Sequence, residues 1–314
     1  MKIISLRFLL FLTAISATAI SACAQRWALP KVSVAILRSE PRHGSEQVSQ
    51  VVMGTPLKIT RKDGDWWKVE TPEGYAGYVR NNTLQGLDDT EMQLWRSSSR
   101  AVVMTDRTVY AMADPSSAPE SSRLTDLVSG SILSILPGES QDGLTAVSLP
   151  DGRTGFLPDS LLIPIGEWAS QEWEPARMPE YAARMMGAPY VWGGTSTKGM
   201  DCSGLTQICA YRQGVMLPRD ASQQVKVGTP VDKTDPSSFR AGDLLFFGNV
   251  KTGRITHVAI STGGAAYIHS SARVRVSSLD PAAPDYENPG LIAVRRIGPE
   301  TATTLSLRNH PWYF

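Results

Sequence analysis

Apolar and polar positions change rhythm several times along the chain. Residues 8–20, "FLLFLTAISATAI", form one apolar run. From residue 24 to 166 the apolar residues come in short runs. "PLKITR", "WWKVET" and "GYAGYV" are examples, cut by Gly, Pro and Asp. This pattern predicts short antiparallel strands. After the connector "IGEWASQEWEP" the rhythm turns helical. "PEYAARMMG" predicts a helix with Pro179 near its first turn and Gly187 past its end. "DCSGLTQICAYRQG" predicts another, capped by Asp201 and stopped at Gly214. Strands then return in "DLLFFG", "THVAIST", "AAYIHSS", "RVRVSSL" and "LIAVRRI". Helices followed by consecutive strands indicate an α+β unit.

The β-rich part repeats. "QVVMGTPLKI" at 50–59 is similar to "DLVSGSILSI" at 126–135, an offset of 76. "TPEGYAGYV" at 71–79 is similar to "LPDGRTGFL" at 149–157, an offset of 78. Two small barrels, over 24–88 and 89–166, fit this repeat. The first resembles a bacterial SH3-like domain, opened by "LRSEP" and closed by "GDWWKV" and "GYAGYV". The second is a more diverged copy.

Composition adds little and excludes one class. Lys and Arg total 31 against 30 Asp and Glu, a net charge of +1. No basic face is advertised, so nucleic acid is not an expected partner. The N-terminal run, flanked by Lys2 and Arg7, is too short to span a membrane comfortably and reads as a targeting segment. It ends in "ISAC", which resembles the bacterial lipoprotein signal, although Ile20 stands where leucine is commoner. Residues 1–23 are then a signal peptide, and Cys23 is the lipidated first residue of an exported, membrane-anchored protein. The alternative is an ordinary cleaved signal, which also exports the chain.

Cys202 and Cys209 are the other two of three cysteines. On one helix, seven residues separate them by roughly 10 Å. A disulfide needs Cα atoms within about 7 Å, so the two are not expected to pair. Cys209, beside Leu205 and Ile208, reads as a small core residue. Cys202 reads as a nucleophile, because the first turn of a helix favours thiolate. A base is still needed. Of four histidines, His43 falls in a barrel loop and His310 in the tail. His257 and His269 fall on successive strands, which can bring a base and its orienting partner together. Structural histidines are the plain alternative. A zinc site is another, but the paired cysteines that usually supply zinc thiolates are lacking here.

The segment from about 178 to 297 resembles the NlpC-type family of papain-like cysteine peptidases. "PYVWGG", "DCSGL", "LPRDASQQ", "AGDLLFF", "THVAI" and "YIHSS" carry the resemblance, in the family's order. It implies a papain-like catalytic domain over 167–314 behind the two barrels. It implies Cys202 as nucleophile, His257 as general base and His269 as orienting residue. Tyr190, Asp201 and Ser203 fall on motif positions that line the site. Ala221 departs from the pattern, since Ser or Thr is common there, with Asp220 and Ser222 on either side. Family members cut stem peptides of peptidoglycan, commonly between γ-D-glutamate and a diamino acid, without metal or organic cofactor.

The whole arrangement resembles the γ-D-glutamyl-L-diamino acid endopeptidases of the dipeptidyl-peptidase VI type, which act on peptidoglycan-derived peptides. In these a barrel closes one end of the site, so that only a free N-terminal L-alanine fits. The resemblance then requires a barrel carboxylate for the ammonium. Glu46 is the choice, with Tyr75 beside it; Glu40, Glu70 and Glu73 compete. The repeat offsets take Glu46 to Ser122 and Tyr75 to Arg153, so the second barrel lacks both groups. The protein is expected to act as a monomer. Three other readings stand: a hydrolase of intact wall with anchoring barrels, an N-acetylmuramoyl-L-alanine amidase, and an inactive wall-binding lipoprotein. The intact Cys202, His257 and His269 argue against the last.

Overall fold

The computed structural model describes residues 25–117, 119–138 and 143–314. Lys2, Arg7 and Cys23, and with them the expected signal and lipid site, lie outside the described residues. Among the described residues no helix is long and apolar enough to cross a membrane.

Among the described residues two seven-stranded sheets come first. The strands of one are Trp27–Pro30, Val34–Arg38, Gln47–Val52, Leu57–Asp63, Trp66–Glu70, Ala76–Arg80 and Leu84–Leu87. Those of the other are Arg100–Val103, Val109–Met112, Arg123–Leu127, Ile132–Ile135, Leu144–Ser148, Thr154–Pro158 and Leu162–Pro164. In both sheets the spatial order is third, second, sixth, fifth, fourth, first, seventh. The weak sequence repeat is therefore a repeat of topology. Period-two patterning makes each sheet one-sided. In Val34–Arg38, Ala35 and Leu37 are buried while Ile36 faces outward. Leu37, Leu57, Val69 and Val79 fill one core, and Val103, Leu127, Leu133, Val147 and Leu157 fill the other.

The helix Asp89–Ser97 joins the barrels. It starts at a capping box in which the Asp88 side chain accepts from Glu91 N–H and the Glu91 side chain accepts from Asp88 N–H. The barrels also touch directly, where Ile132 N–H donates to the Met53 carbonyl at 2.9 Å. Gly54 makes that approach possible. Its φ is +77°, and a Cβ there would lie 2.1 Å from the Ile132 carbonyl oxygen.

The third unit is α+β. Its sheet runs Thr229–Val231, Leu291–Arg296, Leu244–Asn249, Arg254–Gly263, Ala266–Ser271, Arg273–Ser278, and neighbouring strands pair antiparallel where their register is defined. The helices Arg177–Arg184 and Cys202–Tyr211 cover one face. Leu205, Ile208 and Cys209 pack with Leu244, Phe246, Val258 and Ile260. Burial of such a side chain stabilises by roughly 1.5–3 kcal/mol, which holds the start of the second helix firmly over the sheet.

The C-terminal residues strap the three units together. Arg100 donates to the carbonyl of Tyr313 at 2.8 Å, and Arg96 to that of Pro311 at 2.8 Å. Trp312 meets Trp27 edge-on at 5.3 Å, and His310 lies 3.2 Å from the carbonyl of Pro72.

Candidate active site

Cys202 is the first residue of its helix, and Asp201 is the cap. The Asp201 carboxylate does more than cap. Oδ1 accepts from Gly204 N–H at 2.7 Å, and Oδ2 accepts from Gly193 N–H at 3.0 Å. Arg219, which is buried, reaches Oδ2 at 2.5 Å and also donates to Ser203 Oγ at 2.9 Å. Gly204 has no alternative, because a Cβ there would lie 2.0 Å from the Gly194 carbonyl oxygen. The "GG" and "DCSG" segments therefore fit one another only as glycines, and their contact fixes where Cys202 starts the helix.

His257 lies in the strand Arg254–Gly263 and His269 in its antiparallel neighbour Ala266–Ser271. Their rings meet, with His257 Nε2 2.9 Å from His269 Nδ1. His269 is buried and places Nε2 3.2 Å from Ser277 Oγ. The backbone N–H of Val258, next to His257, bonds the Cys202 thiol. This contact sets the thiol beside the histidine strand.

The thiol does not follow the expectation of an easily formed thiolate. Burial pushes Cys202 up to about 11, with the Asp201 carboxylate adding to the shift. The N–H groups of Val258 and Ser203 pull the other way and lose. Burial likewise lowers His257 to about 4. It lowers His269 to about 3, with help from His257 and Arg275. Burial thus favours the uncharged form of the thiol and of both imidazoles.

A pocket of about 420 Å³ opens over Cys202. Tyr190, Asp201, Cys202 and Ser203 line one side, and Glu46 and Tyr75 of the first barrel line the other. His257 itself is not on the wall, which its strand meets through Arg254, Ile255 and Thr256. Glu46 is exposed and accepts from Trp192 Nε1 at 2.8 Å. Tyr75 is raised by burial first and then by Asp220, with Glu46 also contributing. Tyr190 is pushed up to about 12 by burial and by nearby Cys202 and Asp201, so its hydroxyl keeps its proton. The competing carboxylates lie elsewhere. Glu40 pairs with Arg42 at 2.7 Å, and Glu70 is not on the wall. Glu73 faces a separate cavity of about 90 Å³ with Gly130, Tyr211 and Tyr313.

Four residues at the site were given no role from the sequence. Arg219 joins Asp201 to Ser49 of the first barrel at 3.0 Å. Asp220 lines the pocket, and burial raises its carboxyl. Both stood in plain view in "LPRDASQQ". Trp192 stood in "PYVWGG" and bridges the same gap, accepting from Gln47 Nε2 through its carbonyl at 2.9 Å. Glu287 carried no motif signal at all.

Known proteins resemble both the barrel region and the α+β unit. Residues 187–295 match the NlpC/P60 family, and residues 33–85 match the bacterial SH3 domain. The chain is 31% identical over 273 residues to dipeptidyl-peptidase 6 of Lysinibacillus sphaericus, covering 84% of this chain and 96% of that protein. It is 28% identical over 232 residues to the γ-D-glutamyl-L-lysine dipeptidyl-peptidase of Bacillus subtilis, covering 71% of each. The crystal structure of an NlpC/P60 family protein from Bacillus cereus superposes with a TM-score of 0.72 at 23% identity, over 86% of this chain and 99% of that one.

Proposed function

Since the chain belongs to the NlpC/P60 family and is a cysteine peptidase, we propose that Cys202 is its nucleophile, His257 its general base and His269 the residue that orients His257. The substrate is a free stem peptide of peptidoglycan, cut between γ-D-glutamate and the diamino acid. As the sulfur attacks the γ-carbonyl, the Cys202 proton passes to the neutral His257. The oxyanion forms at the helix start, where the backbone N–H of Cys202 can donate to it, with the protonated Tyr190 hydroxyl nearby. Imidazolium His257 then protonates the leaving amine. Water adds to the thioester as its proton goes to His257; the C–S bond then breaks to release L-Ala-D-Glu, and imidazolium His257 returns its proton to the Cys202 sulfur. No step requires a metal or organic cofactor.

One observation carries the substrate reading: a pocket with Cys202 on one wall has Glu46 and Tyr75 of the barrel on the other. An ammonium held there is partly desolvated and needs a carboxylate. Glu46 supplies it beside Tyr75, and Asp220 adds a second negative group near the same phenol. Asp201 and Ser203 are tied to Arg219, which keeps their polar atoms fixed at the pocket edge. Mass spectrometry of digests tests the reading. L-Ala-γ-D-Glu-diamino acid should yield L-Ala-D-Glu, whereas the same peptide acylated at alanine, or attached to muramic acid, should stay intact. Equal cleavage of free and muramyl-linked stems would instead favour a hydrolase of intact wall.

The related wall-peptide hydrolases support work outside the cytoplasm. The finer reading is a lipid anchor on Cys23, with each monomer complete in itself. Membrane fractionation of wild type and Cys23→Ala, with intact mass of the mature chain, tests the anchor. A soluble mature protein beginning past residue 23 contradicts it.

A further inference from the structure

Beyond the Cys–His–His set lies a hydrogen-bonded chain that ends in a carboxylate. We propose that Ser277 and Glu287 are positioning residues that fix the tautomer of His269, and through it leave His257 Nδ1 free as the base. This rests on the reading of His257 as the general base. The contacts run in line: His257 Nε2 to His269 Nδ1 at 2.9 Å, His269 Nε2 to Ser277 Oγ at 3.2 Å, and Ser277 Oγ to Glu287 Oε2 at 3.1 Å.

The direction of each bond follows from what the end groups can do. Arg275 donates to Ser277 Oγ at 2.7 Å and to Glu287 Oε2 at 2.5 Å, and a guanidinium cannot accept. Glu287 is a carboxylate. Burial opposes its charge, but the bonds from Arg275 and Ser277 outweigh burial and hold it below its usual range. An ionised carboxylate only accepts, so the single Ser277 proton points to Glu287. Ser277 Oγ then offers His269 an acceptor and nothing else, and His269 carries its proton on Nε2. A neutral imidazole protonated there accepts at Nδ1. His257 must donate from Nε2, and its lone pair is left on Nδ1.

The end of the chain is itself held in place. Glu287 N–H donates to the Ser278 carbonyl at 2.8 Å, and the Tyr267 hydroxyl donates to the Glu287 carbonyl at 2.7 Å. Strand pairing sets Arg275 opposite His269 and Ser277 opposite Tyr267. The charged and titratable groups around the two imidazoles are Glu287 and Arg275 on the far side, Tyr267 beside them, and Asp201 on the near side.

Histidine-selective ¹⁵N NMR at pH 7 reads the tautomer directly in the wild-type protein. His269 should be the Nε2–H form. An Nδ1–H or doubly protonated His269 overturns the proposal without any variant. Glu287→Gln, whose amide can donate or accept toward Ser277, should give His269 as a tautomer mixture. It should lower kcat about 10- to 100-fold with KM within about twofold, and Ser277→Ala should do the same. Removing the carboxylate also removes a charge that favours imidazolium, so the acid limb of the Glu287→Gln pH profile should move to lower pH. A Glu287→Gln protein that keeps a single His269 tautomer and wild-type kcat overturns the proposal. Failure of wild type to cut stem peptides would defeat the substrate reading instead, and the NMR result would still decide the relay.

Discussion

In the first barrel, Glu46 and Tyr75 face the pocket and Ser49 holds Arg219. In the second barrel, the positions 76 and 78 residues on hold Ser122 and Arg153, and neither faces the pocket. Ser122 is buried and its hydroxyl donates to the Asp114 carbonyl. Arg153 bonds Asp151 at 2.9 Å and the Leu124 carbonyl. The two sheets share one strand order, so the difference is not topological. It lies in a few side chains and in what each barrel touches. The first barrel supplies a wall of the pocket. The second offers Asp106 to Arg212 at 2.9 Å and Asp126 to Lys198, and so braces the catalytic unit from behind. One small β framework can thus line a pocket and give structural support in the same chain.

The largest expected effect lies outside both barrels and calibrates the rest. Cys202→Ala should lower kcat by at least about 10⁴-fold, and His257→Ala nearly as much, since residues acting as one unit fail together. Cys202→Ala should fold with Tm close to wild type, because the thiol is small, whereas His257→Ala should fold with a lower Tm, since it leaves a cavity and an unpaired His269 nitrogen. Cys209→Ala should keep full kcat, as that thiol sits in the core and burial raises it far from reactivity. Wild-type turnover by purified Cys202→Ala would remove the assignment.

The comparison breaks or stands on paired variants. Glu46→Gln should cost about 10- to 100-fold in kcat/KM on free-amine peptides, equal to roughly 1.4–2.8 kcal/mol. The size is limited because Glu46 is exposed before substrate arrives. Ser122→Ala and Arg153→Ala should change kcat/KM by less than about twofold. If the second-barrel variants lost as much as Glu46→Gln, both barrels would be recognition modules and the division of labour would fail. If free-amine specificity survived Glu46→Gln unchanged, Asp220 would be the group to test next.

Acidity sharpens the picture of the catalytic unit. With His257 lowered to about 4, kcat/KM should hold well below the usual histidine range and fall only as pH approaches 4. Stability should respond in the same direction. Both buried histidines have folded values below their unfolded value near 6.5, so the unfolded chain binds more protons in the interval between. Stability should therefore be level above about pH 6.5 and decline as pH falls from 6.5 toward 4, with His269 extending the decline toward 3. Thermal melts across this range should show a shallower decline for His269→Asn. An acid limb near 6.5 would mean that burial does not control His257.

Local signals made much of this legible. Asp201 as a cap, the helix start at Cys202 and the glycine stop at Gly214 all follow from rules that span a few residues. The meeting of His257 and His269 follows from two strands joined by a tight turn. What was hidden depends on docking between distant segments. Nothing near Arg219 announces that Ser49 will close one of its bonds 170 residues away. Glu287 reaches Ser277 from an irregular segment with no period to read. The expectation of a low thiol pKa failed for a related reason. A helix start is visible in sequence, but the burial that outweighs it is a property of the assembled site.

The smallest effect concerns the brace. Lys198, in the loop just before the helix Cys202–Tyr211, donates to Asp126 of the second barrel and to Ser33 of the first at 2.8 Å. Ser33 also donates to Asp126 at 2.9 Å, so one carboxylate joins three units. Burial alone would raise Asp126, yet the bonds from Lys198 and Ser33 hold it below its usual range. Both charged groups are partly exposed, which limits the pair to about 1 kcal/mol or less. Asp126→Asn should therefore lower Tm by a few degrees at most. If the second barrel only braces, the variant should raise KM up to about threefold through a looser first-barrel wall, and leave kcat and free-amine specificity unchanged. High salt should shrink the difference between Asp126→Asn and wild type, because screening weakens the exposed part of the pair. A loss of kcat in Asp126→Asn with KM unchanged would show that the second barrel acts on the chemistry itself, and the contrast between the barrels would have to be redrawn.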